Sequence, residues 1–102
     1  MIKALVLVYR RPDLSWDEFS RYFREVHGPL ARQLPGLRHY TQHHIREAFF
    51  GGDAPCDAIA ELWFDDVGAL RAAFASDAGA AALADNANFA DDERSKLVIG
   101  SE

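Results

Sequence analysis

The stretch FSRYFREVHGPLARQLPGLRHYTQHHI, residues 19–45, decides the fold because its periodicity changes part-way. Phe19, Phe23, Val26 and Leu30 recur at helical spacing, and Trp16 extends the same stripe upstream. Leu34-Pro35-Gly36-Leu37 then reads as a turn. Beyond it the pattern alternates. Tyr40, Gln42 and His44 fall on one side of an extended chain, and His39, Thr41, His43 and Ile45 on the other. A helix thus hands over to a strand across residues 38–46, with Gly28 placed to cap the helix and Pro29 to open a further short turn.

Upstream, Ser15 and Glu18 form a capping box, Asp17 sits in the first turn, and Leu14 is placed to staple onto Phe19. Before that, residues 2–10, IKALVLVYR, are apolar on both faces and predict a central strand. Downstream, residues 47–57 contain Gly51, Gly52, Asp53 and Pro55 and read as a loop. Residues 58–64, AIAELWF, predict a third strand, with Ile59, Glu61 and Trp63 on one side and Ala58, Ala60, Leu62 and Phe64 on the other. Asp66 caps a helix carrying Val67, Leu70 and Phe74. An alanine-rich helical piece follows from about Asp77 to Asp85, suited to close packing. Residues 85–95 are polar and acidic, and Lys96–Ile99 make a short last strand. The order β-α-β-β-α-β predicts one α+β domain over residues 1–102. Its fold class is ferredoxin-like: an antiparallel four-stranded sheet with the helices on one face. The bare face predicts a homodimer in which two sheets close a dimeric α/β barrel.

Composition narrows the partners. The chain of 102 residues is 49% hydrophobic, enough for a core, and carries a net charge of -5. That balance excludes a phosphate-binding basic face, so no nucleic acid is expected. The arginines of the first half read as a solvated helix face with local ion pairs. Cys56 is a lone cysteine, which rules out an internal disulfide and suits a reducing compartment. The N-terminal run has no basic leader or cleavage site, and no apolar stretch approaches the ~18 residues of a membrane span. A cytoplasmic protein that does not enter the membrane is expected.

Three segments carry a family resemblance: His27-Gly28-Pro29-Leu30-Ala31, then Pro35-Gly36-Leu37 followed by Tyr40, then Asp57 with Ile59-Ala60-Glu61-Leu62-Trp63-Phe64. Together, in this order and at this length, they resemble the EthD (ethyl tert-butyl ether degradation) domain family of the dimeric α/β-barrel superfamily. The resemblance extends from Ile2 to Val98. It implies a small homodimer with no metal and no organic cofactor. Related barrels act as isomerases, polyketide cyclases, decarboxylases or cofactor-free oxygenases, and some have no assigned activity, so the fold does not fix the chemistry.

The candidate catalytic residues are His27, Tyr40, His44 and Glu61. Imidazoles titrate near neutrality and suit acid/base work. Tyr40 can donate to an enolate or phenolate oxygen. Glu61, on an apolar strand, would orient a histidine or act as a base. These four share one site if the Tyr40/His44 face and the Glu61/Trp63 face coincide. Tyr9, Trp16, Phe23, Gln42 and Trp63 are the candidate substrate-binding residues, for a small hydrophobic or aromatic molecule. Each has a structural alternative: His27 as a helix C-terminal cap, His44 as an exposed strand residue, Glu61 in an ion pair with Arg38 or Arg10, Tyr40 and Trp63 as core aromatics.

No metal is expected. His39 and His43 share a face but lie about 13 Å apart on a strand, too far to chelate one ion. Cys56, beside Asp57, lacks the cationic setting of a nucleophile. Phe49-Phe50-Gly51-Gly52 reads either as a lid or as a dimer contact. The expected function is a cofactor-independent enzyme moving a proton on a small carbonyl, phenolic or polyketide-like molecule, by isomerisation, cyclisation or decarboxylation. The competing readings are a cofactor-free oxygenase and a non-catalytic ligand-binding or accessory protein.

Overall fold

The computed structural model describes all 102 residues. Strands β1 (Ile2–Val8), β2 (His39–His44), β3 (Ala58–Phe64) and β4 (Lys96–Ser101) form one antiparallel sheet in the order β2-β3-β1-β4. The strand that is apolar on both faces, β1, is central, as its composition requires. Strand β2 is shorter than residues 38–46, but Arg38 N–H donates to the Trp63 carbonyl at 2.8 Å and Ile45 N–H to the Asp57 carbonyl at 3.0 Å, so pairing continues at both ends.

The first helical rod begins at α1 (Trp16–Tyr22). Its capping box is formed: Glu18 N–H donates to Ser15 Oγ at 3.1 Å, and Ser15 N–H donates to the Glu18 carboxylate at 3.0 Å. The rod does not end at Gly28. It widens into a π-turn over Phe23–His27, closed by Gly28 N–H donating to the Phe23 carbonyl, and continues as α2 (Gly28–Ala31). Gly28 is right-handed helical, with φ -53°, and is not a cap. The wider turn shifts the phase of the buried stripe. Val26, expected inside, is exposed, while His27 turns inward and stacks on Phe23.

Helices α3 (Val67–Ala75) and α4 (Asp77–Asp85) complete the layer, capped by Asp66 and Ser76. Their approach is close. A Cβ at Gly79 would lie 2.6 Å from Phe74 Cα, so only glycine fits there. The segment after α4 was expected to be merely polar, but it folds back into the molecule. Arg11 N–H donates to the Phe89 carbonyl and Asp91 N–H to the Tyr9 carbonyl, both at 2.8 Å, which brings Phe89 into the core beside Phe19 and Phe23.

Both helical layers cover the same face of the sheet. Ala4, Val8, Ala58, Ala60, Leu62 and Phe64 point into it and are buried. Leu5, Leu7, Ile59, Glu61, Trp63 and Val98 point from the bare face. No helix is long and apolar enough to cross a membrane.

Candidate active site

Register settles which side chains meet. Tyr40 pairs with Leu62, Gln42 with Ala60 and His44 with Ala58, so all three lie on the covered face. Thr41 pairs with Glu61 and His39 with Trp63, on the bare face. The two faces expected to coincide are opposite. Glu61 therefore does not share a site with Tyr40 and His44. Neither Arg38 nor Arg10 pairs with it, since Arg38 binds Asp65 and Arg10 binds Asp57. Its near neighbour is His43, with 3.7 Å between imidazole and carboxylate. Trp63 is not a core residue. Its ring stands against His39 at 4.8 Å, with the Lys3 ammonium 4.7 Å from its centre.

Between the covered face and the helices lies a cavity of about 70 Å³. Of its 18 lining residues 14 are hydrophobic, Tyr40 among them, so it is an apolar chamber with four polar residues: His27, Asn86, Asp92 and Ser95. Three of the nine nominated residues line it, namely Phe23, His27 and Tyr40. Tyr9 and Trp16 lie elsewhere: Tyr9 beneath the Arg94 guanidinium at 4.1 Å and Trp16 beneath Arg46 at 5.3 Å.

The π-turn places His27 between the rings of Phe23, 5.7 Å away, and Phe89, 4.5 Å away. Its Nδ1 meets Asp85 Oδ2 at 3.0 Å. An ionised carboxylate only accepts, so Nδ1 carries the proton and Nε2 keeps a free lone pair. Nε2 has no protein partner. His27 is thus held by a carboxylate rather than capping a helix end. Asp85 is 8% exposed, and Tyr22 Oη and Asn88 Nδ2 also donate to it, at 2.6 and 3.0 Å. Burial opposes its charge, but the hydrogen bonds from Tyr22, Asn88 and His27 prevail and hold its pKa below the ordinary carboxylate value. Burial lowers the pKa of His27 despite the pull of Asp85, which favours the neutral ring. A neutral imidazole oriented by a carboxylate, with its other nitrogen bare, is the arrangement of a general base.

Asp85, Tyr22 and Phe89 escaped the sequence reading. The available signal was weak: an acidic residue ending an alanine-rich helix, and one phenylalanine inside a polar segment.

Tyr40 is 7% exposed, and burial raises its pKa, opposed by a hydrogen bond from Gln42 and by the Arg32 guanidinium 5.0 Å from its ring. Gln42 Nε2 donates to the Tyr40 hydroxyl at 2.7 Å and to the Phe23 carbonyl at 2.8 Å. Gly28 permits this, since a Cβ there would lie 3.1 Å from Gln42 Nε2. His44 does not line the cavity. Its ring meets the edge of Phe23 at 5.6 Å, and its nitrogens are engaged by Gln42 Oε1 at 3.0 Å and Ser20 Oγ at 2.6 Å. Burial, then the charges of Arg24 and Arg46, lower its pKa. His44 is accordingly neither an exposed strand residue nor a group able to touch a ligand in the chamber.

A match to the EthD domain covers residues 11–93, from just after β1 to just before β4. The chain belongs to the EthD domain family. An uncharacterized 11.0 kDa protein from the thcB-thcC intergenic region of Rhodococcus erythropolis is 30% identical over 86 residues, covering 84% of this EthD chain and 82% of that one. An EthD family protein of Bacillus halodurans superposes with a TM-score of 0.84 at 29% identity, covering 100% of this chain and 99% of the other. More distant structures share the fold alone. A dimeric ferredoxin-like protein of Thermobifida fusca gives a TM-score of 0.74 at 19% identity, over 99% and 90% of the two chains. SnoaB, a cofactor-independent oxygenase of Streptomyces nogalater, gives 0.66 at 17% identity, over 99% and 91%. The EthD chain thus has the ferredoxin-like fold.

Proposed function

We propose that this EthD domain is a cofactor-independent enzyme that moves a proton on a small carbonyl, phenolic or polyketide-like molecule, in an isomerisation, cyclisation or decarboxylation. One observation carries the reading: an imidazole held by a buried carboxylate lines an apolar chamber together with Tyr40. His27 Nε2 takes the proton from carbon or oxygen. Asp85 holds the ring and stabilises the imidazolium that forms. Tyr40 donates to the oxygen on which negative charge develops. The apolar walls exclude water and strengthen each of these interactions. In this reading Asp85 takes the orienting role first assigned to Glu61.

The bare sheet face, lined by Leu5, Leu7, Ile59 and Val98, supports a homodimer, and the buried thiol of Cys56 fits a reducing cytoplasm. Two such faces closing on each other would complete the barrel and leave each chamber on its own protomer.

The test is deuterium incorporation. The protein is incubated in deuterated buffer with small ketones, β-dicarbonyl compounds and phenols, and exchange at carbon is followed by NMR. Exchange above the buffer rate is expected, falling about 100-fold or more in His27→Gln. Unchanged exchange in a folded His27→Gln protein would sink the reading. A cofactor-free oxygenase is the second reading, supported by the aromatic walls Phe23 and Phe89 and by the fold shared with SnoaB. Oxygen uptake on adding an aromatic compound would favour it. Retention of a compound without conversion would instead make the domain a binding protein.

A further inference from the structure

Gln42 is locked between three groups, and one of them acts in a single sense. Its Nε2 faces the Phe23 carbonyl at 2.8 Å and the Tyr40 hydroxyl at 2.7 Å, its Oε1 faces His44 Nε2 at 3.0 Å, and His44 Nδ1 faces Ser20 Oγ at 2.6 Å. A backbone carbonyl accepts and never donates. The Gln42 atom facing Phe23 is therefore the amide nitrogen, because turning the amide over would set two carbonyl oxygens against each other. The π-turn supplies that carbonyl, and Gly28 leaves the space for the amide to reach it.

The rest of the chain of bonds is then fixed in both directions. Towards Ser20, Gln42 Oε1 requires a donor, so His44 Nε2 carries a proton. In the neutral ring, Nδ1 then accepts from the Ser20 hydroxyl. The lowered pKa of His44, due first to burial, favours that neutral form. Towards the chamber, the second amide hydrogen of Gln42 is donated to the Tyr40 oxygen. The proton of Tyr40 is left with no protein acceptor, on a side chain that lines the cavity.

We infer that Ser20, His44 and Gln42 are positioning residues that hold Tyr40 as a hydrogen-bond donor into the cavity. The cavity consequently takes a ligand with an acceptor oxygen at Tyr40 (carbonyl, enolate or phenolate) and a proton-bearing group at His27. Ammonium groups are rejected at the Tyr40 end, because they have only protons to offer. That this ligand is a substrate rests on the proposed catalytic function, whereas the polarity of the bonds rests on the geometry alone.

Two measurements test it. The first uses the unaltered protein. Long-range proton–nitrogen NMR reads the tautomer of each neutral histidine, and Ser20→Ala identifies His44 by moving its Nδ1 resonance. His44 is expected as the Nε2–H tautomer; the Nδ1–H tautomer would overturn the relay. The second uses cyclohexanone labelled with carbon-13 at the carbonyl as a neutral acceptor probe, and benzene as a probe without oxygen. In Gln42→Glu the carboxylate takes the Tyr40 proton, so cyclohexanone binding is expected to weaken at least tenfold while benzene binding holds. Equal weakening of both probes would mean that Gln42 only shapes the cavity, and would overturn the proposal. If Gln42→Glu fails to fold, the tautomer measurement decides. The Nε2–H tautomer in a protein that exchanges no carbonyl proton would leave the relay standing and remove the catalytic reading. Exchange in a protein with His44 as the Nδ1–H tautomer would do the reverse.

Discussion

Strand β2 presents two faces of similar composition and opposite character. Inward, Tyr40, Gln42 and His44 are tied to one another, to a backbone carbonyl and to Ser20. Outward, His39, Thr41 and His43 make looser contacts: Thr41 Oγ1 with His39 Nε2 at 2.9 Å and His43 with Glu61 at 3.7 Å. The residue types barely differ. What differs is the layer opposite. A helix with a π-turn offers the inward set a fixed carbonyl and aromatic walls, whereas the outward set meets only its neighbours on the same sheet face, Trp63 and Glu61, with no helix packed over it. Histidine count carries no function here; the surroundings of each histidine do.

The largest break in this comparison comes from the aromatic wall. Phe89→Ala removes a fully buried ring that touches Phe19, Phe23, Tyr22 and His27. It should cost about 3–5 kcal/mol in denaturant unfolding, because the ring fills the space between the first helical rod and the returning segment. The variant should also release His27 from its stacked position.

Acid gives the next effect. His27 and His44 both have folded pKa values below the ordinary imidazole value, with burial as the leading cause. The unfolded chain therefore binds protons first as pH falls. Stability is fully present above the unfolded imidazole value and is lost as pH drops below it towards the folded values. Asp85, also lowered, extends the loss to more acid pH, through the ordinary carboxylate range. Melting temperature should decline on acidification from neutrality, and His27→Gln and His44→Gln should each flatten the first part of that decline. A profile equally steep in the double variant would show that the covered face is not what titrates.

Much of the fold was legible because it depends on local signals. The capping box at Ser15, the alternation in β2 and β3 and the apolar core of β1 each survive in the structure. The site was less legible, for physical reasons. Alternation says which residues of one strand share a face, but register says which face of the neighbour they join, and that separated Glu61 from Tyr40. The π-turn adds one residue to a helical turn, so a strict 3.6-residue count buries Val26, which is exposed, and leaves at the flank of the stripe His27, which stacks on Phe23 and lines the chamber. Asp85 becomes a site residue only through contacts with Tyr22 and His27, more than fifty residues away in the chain. His27 and Tyr40 were nominated for the acid/base and donor chemistry of their side chains and Phe23 as part of a regular buried stripe, and all three line the chamber.

Gly28→Ala separates stability from function on the covered face. Replacing a mid-helix glycine with alanine favours the helix by roughly 0.5–1 kcal/mol. The new methyl would meet Gln42 Nε2 at 3.1 Å, and Gln42 is held by His44, Tyr40 and the Phe23 carbonyl. The two effects should nearly cancel, leaving unfolding free energy within about 1 kcal/mol of the parent. Proton exchange on a carbonyl probe should still fall, by about tenfold or more, as Gln42 is displaced and Tyr40 loses its orientation. Unchanged exchange with unchanged stability would mean that Gln42 moves freely and the covered face is less tightly set than its hydrogen bonds indicate.

The smallest effect is expected on the bare face, and it is the sharpest form of the comparison. Glu61→Gln keeps the shape of the side chain and removes its charge. Its contact with His43 is long, and the His43 side chain is half exposed, a setting in which ion pairs contribute about 0–1 kcal/mol. The register places Glu61 across the sheet from the chamber, between Leu5 on β1 and Thr41 on β2. Proton exchange in Glu61→Gln should therefore stay within about twofold of the parent, against the roughly 100-fold loss in His27→Gln. A loss approaching that of His27→Gln would mean that the two faces of the sheet communicate. The bare face would then have to be counted as part of the site, with whatever covers it.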